Sequence, residues 1–125
     1  MEYRQLGNSG VRVSVIGIGT NRFGSEKLPQ ADVNRVIDAA LDLGINHIDT
    51  ANSYVRGRSE ETLGVALKGR RDRFVLASKF WFPVGEGTNE RGASRYFIMN
   101  AVEDSLRRLG VEVIVVDNGS GDGSA

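Results

Sequence analysis

A recurring unit constrains this chain more than any single residue does. Runs suited to β-strands begin near residues 13, 45, 74 and 111, and stretches with helical apolar spacing lie between them. One strand-then-helix unit of about thirty residues therefore repeats, the pattern of parallel strands joined by right-handed helical crossovers. The runs Val13 to Gly19 and Phe74 to Phe80 are apolar with little polar alternation, as strands covered on both faces are. The second run, residues 45 to 50, is short and ends in a polar mouth, Thr50 to Tyr54. The fourth covers Val111 to Val116.

Three helices fill the intervals. Val33, Val36, Ile37, Ala40 and Leu41 form one apolar stripe, closed by Gly44. Ser59 is the expected N-cap of the second helix, with Glu60 and Glu61 in its first turn and Leu63, Ala66 and Leu67 inward. That helix should stop near Lys68-Gly69. Ser94 caps the third, whose Ile98, Ala101, Val102, Leu106 and Leu109 face the core and which Gly110 ends. Ahead of all this, Asn8-Ser9-Gly10 between two short extended segments predicts a hairpin. The expected fold class is α/β: half of a TIM barrel, a (β/α)4-like parallel sheet with an N-terminal β-hairpin. A closed barrel of eight strands typically takes about 250 residues, and this chain has 125. Residues 1–116 read as one half-barrel domain and 117–125 as a flexible Gly/Ser/Asp tail.

Composition narrows the function classes. Sixteen basic and sixteen acidic side chains leave no net charge, so nothing draws the chain to nucleic acid or an anionic membrane. The absence of cysteine excludes disulfides and thiolate metal sites, and no metal site is expected. Met1-Glu2-Tyr3-Arg4 does not open a secretory signal, and no apolar stretch approaches the ~18 residues of a membrane span. The expected location is cytoplasmic. The run Arg70-Arg71-Asp72-Arg73 reads as a solvated turn, and Gly17-x-Gly19 lacks the third glycine of a dinucleotide fingerprint.

Ligands of α/β folds bind beyond the carboxyl ends of the strands. Three ionisable side chains fall there: Asp49, Tyr54 and Lys79. Asp49 and Lys79 close adjacent strands and should pair, with Tyr54 reaching over from its loop. A lysine beside a phenol favours the phenolate and makes the hydroxyl a better acid. Such a trio suits protonation of a carbonyl oxygen while a hydride arrives from elsewhere. The bland alternative is an exposed tyrosine and an incidental ion pair at a sheet rim.

Residues 1 to about 110 also resemble the N-terminal half of the NADPH-dependent aldo-keto reductases, a (β/α)8 barrel family. The resemblance rests on Tyr3 to Gly10, Gly17-Ile18-Gly19-Thr20-Asn21, Asn46 to Ala51 with Ser53-Tyr54, Ser59-Glu60, and Ser78-Lys79-Phe80. It implies reduction of aldehydes or ketones, with Tyr54 as general acid, Lys79 and Asp49 in support, and Gly19, Thr20, Asn21 and Asp49 on the NADPH side. Trp81 would face a small carbonyl substrate. Two departures from the family pattern weigh against activity. Ser120 occupies the position of the family's substrate-orienting histidine, and the late strands whose loops hold the cofactor's phosphates have no counterpart here. In the mouth, Asn52 replaces a common acid and Val55 a common glycine.

The stretch Glu112 to Ser120 with Asp122-Gly123-Ser124 resembles the nucleotide-binding strand of family-2 glycosyltransferases, in which Asp117 would meet the base. The chain thus reads as one family's half-barrel ending in another's strand. An open half-barrel has two unpaired edges and an uncovered inner face, so a homo-oligomer is expected, with or without catalysis.

Overall fold

The computed structural model describes residues 1–111. Strands β1 (Tyr3–Gln5) and β2 (Arg12–Ser14) form the expected antiparallel hairpin, with Gly7 and Gly10 at positive φ in its turn. Strands β3 (Ile18–Gly19), β4 (His47–Asp49) and β5 (Val75–Ala77) form a parallel sheet in the order β3-β4-β5. Helix α1 (Gln30–Asp42) connects the first pair and α2 (Arg58–Ala66) the second, and α3 (Arg95–Leu109) follows β5. Strand and helix alternate as the sequence repeat requires. The fourth strand expected over residues 111–116, the tail 117–125, Ser120 and the glycosyltransferase-like stretch fall almost wholly outside the described residues.

Register assigns the two faces of the sheet. Ile18, Ile48 and Leu76 are cross-strand partners, and the fully buried Ile48 shares one core cluster with Val33, Ile37 and Ala40 of α1, Leu63 and Ala66 of α2, Leu67 just after it, and Leu109 of α3. Withdrawing side chains such as Ile37, Ile48 and Leu63 from water contributes about 1.5–3 kcal/mol each. Since β-strand side chains alternate, His47 and Asp49 point the other way. That face carries no helix among the described residues, and Gly19 and Ala77 beside Asp49 are exposed.

Five expectations need correction. The run Phe74 to Phe80 is not a strand covered on both faces: only Val75–Ala77 join the sheet, and Ala77 to Phe80 are exposed at its rim. The run Val13 to Gly19 is not one buried strand: Val13 and Ser14 belong to the hairpin, Val15 and Ile16 are exposed, and only Ile18 and Gly19 join the sheet. The cause is the Asn46 side chain, which accepts from the Ser14 backbone N–H at 2.7 Å and donates to the Arg12 carbonyl at 3.0 Å. Those groups turn toward the start of β4 instead of continuing a ladder. Ser59 is not an N-cap, because α2 opens two residues earlier, with Gly57 at φ 87° in the cap position. Phe97 is buried where Val102 was expected, and Val102 lies at the surface. Arg70 is not merely solvated, since it pairs with Asp38 of α1 and donates to the Ala66 carbonyl at 2.8 Å, tying the end of α2 to α1. No helix among the described residues is long and apolar enough to cross a membrane.

Candidate active site

Backbone pairing continues past the strand ends. Thr20 N–H donates to the Asp49 carbonyl at 3.1 Å, Thr50 N–H to Ala77 at 2.8 Å, and Asn52 N–H to Lys79 at 3.0 Å. The polar residues that follow β3, β4 and β5 are therefore held level with one another. Lys79, two residues beyond Ala77, returns to the open face on which Asp49 lies.

There the expected trio converges. Lys79 Nζ donates to both Asp49 carboxylate oxygens at 2.7 Å and to the Thr50 carbonyl at 2.8 Å. The same nitrogen stands 5.1 Å from the centre of the Tyr54 ring, within cation–π range. Partial burial disfavours the ammonium, but its hydrogen bond to Asp49 and the proximity of Asp49 and Tyr54 outweigh that, holding the Lys79 pKa above the ordinary lysine value.

Tyr54 is aimed by an unusual turn. Val55, Arg56 and Gly57 take φ values of 49°, 55° and 87°, three consecutive left-handed residues that swing the chain from the rim into α2. A β-branched residue rarely adopts that conformation, so Val55 holds it under strain.

The residues read as lining a cofactor divide into two kinds. Gly19 exposes bare backbone, with nothing near the position its Cβ would take, and Asn21 is exposed beyond it. Thr20 turns inward. It is fully buried, its hydroxyl donates to the Asp49 carbonyl at 3.2 Å, and Ser59 donates to it from behind. Trp81 is exposed, on backbone with φ 131°. Beside it, between β5 and α3, Leu76, Lys79, Phe80, Val102 and Leu106 line an open cleft of about 220 Å³.

Beneath the rim lies a polar layer that sequence reasoning missed. Ser59 bridges Thr20 and Thr50, with its hydroxyl 2.7 Å from the Thr20 carbonyl and 3.2 Å from the Thr50 hydroxyl. Glu60, fully buried, accepts from the Ser78 hydroxyl at 2.6 Å and from Arg108 Nε at 2.7 Å. A signal was present: Glu60 shares the i, i+3, i+7 face of Leu63 and Leu67, the buried side of α2.

A parallel (β/α) sheet with a hairpin at its amino end and a charged carboxyl rim defines part of a barrel of the TIM class, and solved structures agree. The holo form of the aldo-keto reductase AKR11C1 from Bacillus halodurans superposes with a TM-score of 0.77 at 40% identity, over 91% of this chain and 38% of that one. A putative aldo-keto reductase from Pseudomonas aeruginosa gives 0.78 at 40% identity, over 90% and 43%. The family model described as "Aldo/keto reductase family" matches residues 15–115, and the chain belongs to that family. Relatives include an uncharacterized oxidoreductase, YqkF, of Bacillus subtilis, 38% identical over 117 residues, covering 91% of this chain and 37% of that protein. A probable voltage-gated potassium channel subunit beta of rice, Oryza sativa subsp. japonica, is 35% identical over 120 residues, 93% of this chain and 36% of that protein. The chain thus spans little more than a third of the length of these curated relatives.

Proposed function

We propose that the Asp49, Tyr54 and Lys79 rim is the proton-delivering side of an NADPH-dependent reduction of small aldehydes or ketones. The observation that carries this reading is the placement of one ammonium group, bonded to both Asp49 oxygens and lying over the Tyr54 ring. Tyr54 gives its hydroxyl proton to the substrate's carbonyl oxygen. Lys79 offsets the negative charge left on the phenol oxygen, and Asp49 keeps the lysine charged and in place.

The groups present suit the reactive end of NADPH. Gly19 leaves open space beside the Asp49 carboxylate, which a flat ring can approach, and the exposed Asn21 offers an amide next to it. Thr20 supports this surface from below, because it is fully buried and its hydroxyl, N–H and carbonyl are all already engaged. NADPH, when bound, supplies the hydride. Trp81, exposed beside Phe80, would lie against the substrate's apolar part.

Titration with NADPH, followed by cofactor fluorescence, tests the reading. The expected result is a quench or blue shift that vanishes in Lys79→Ala. No response at millimolar protein would defeat it.

A second reading is favoured by the run Phe80, Trp81, Phe82 and Val84, all exposed, and by β3 and β5, each paired on one edge only among the described residues. In this reading the open face and edges associate with a second copy of the chain, with no catalysis required.

A further inference from the structure

We propose that Glu60 and Arg108 form a buried positioning pair that sets where Lys79 stands relative to Asp49 and Tyr54. This deepens the proposed role of Lys79 and rests on it, although the test below reads the lysine itself and needs no cofactor.

The Glu60 side chain is entirely withdrawn from water, and each of its oxygens has one partner, Ser78 Oγ or Arg108 Nε. A buried ion pair is poor evidence of stabilisation, since apolar residues of similar volume often do as well or better. What such charges provide is direction. Ser78 immediately precedes Lys79, so the bond to Glu60 fixes from the helix side the segment that carries the lysine. The neighbouring residue on α2, Ser59, grips Thr20 and Thr50, and the Thr50 carbonyl receives Lys79 Nζ. Two adjacent side chains in one helical turn therefore hold the ends of all three parallel strands.

Arg108 itself has a single seat. A Cβ on Gly64 of α2 would lie 2.4 Å from the Arg108 carbonyl oxygen, so only glycine admits α3 this closely. The placement runs from α3 through Arg108, Glu60 and Ser78 to Lys79. The groups that face Lys79 in turn are the Asp49 carboxylate, the Thr50 carbonyl and the Tyr54 ring.

The chain has three lysines, Lys27, Lys68 and Lys79, so the Lys79 signal is assigned by its loss in Lys79→Met. In the full chain labelled with ¹³C-lysine, the Cε resonances are followed through alkaline pH. Wild-type Lys79 should titrate above the ordinary lysine value of 10.5. In Glu60→Gln and in Arg108→Met its midpoint should fall toward that value by at least about 0.5 pH unit. Ser78→Ala, which removes the link and leaves the ion pair, should move it in the same direction and covers the case in which either charge variant fails to fold. Ile37→Val, a core change remote from the rim, should leave it in place. A wild-type midpoint in folded Ser78→Ala, or an equal shift in Ile37→Val, would overturn the proposal.

Discussion

Lys79 makes three hydrogen bonds from one nitrogen, and its behaviour with pH follows from them. Its folded-state pKa is raised, so its contribution to stability is fully present below the ordinary lysine value of 10.5 and is lost as pH rises through the folded value. The difference in urea midpoint between wild type and Lys79→Met should therefore stay constant from neutral pH to that value and shrink above it. A difference already shrinking near neutral pH would mean that the Asp49 pairing does not persist in solution. The positions of Asp49, Tyr54 and Lys79 were legible in the sequence because strand ends can be read from where apolar runs stop. The inward turn of Thr20 was not: the alternation fixing it starts from Ile18, which the sequence places near the end of a seven-residue run and the fold places at a strand start.

At the scale of elements, two positions carry sharp expectations. Val55 sits in left-handed backbone that glycine adopts freely, so Val55→Gly should raise the unfolding free energy by about 1 kcal/mol in urea denaturation, despite glycine's greater unfolded-state entropy. Gly64 is the reverse case. Gly64→Ala should lower stability by about 2–3 kcal/mol in the same assay, as the new methyl meets the backbone of α3. Helices were the more readable elements, since Gly44 and Gly110 end α1 and α3 and Ser94 caps the latter, accepting from Phe97 N–H at 3.1 Å. The start of α2 was misread because serine is a common cap, while the actual boundary is set by the left-handed run ending at Gly57. Local chemistry alone could not reveal that Ser59 and Glu60 answer to strands and to a helix far along the chain.

For the molecule as a whole, the open sheet face and the exposed aromatic run argue for association. Sedimentation at tens of micromolar should give about twice the chain mass of 13.6 kDa, and replacing both Trp81 and Phe82 by serine should return the monomer. A clean monomer in wild type would remove the second reading. Repetition of strand and helix made the α/β half-barrel legible, because parallel crossovers leave few other topologies. How a polar layer locks three strand ends together emerges only when distant segments meet. The hairpin, finally, is fastened at the far end of the sheet: Tyr3 donates its hydroxyl to the Gly44 carbonyl at 2.6 Å, and Asn46 holds Ser14. So anchored, it braces the amino end of β4 and leaves the opposite end, where Lys79 stands, open to an approaching solute.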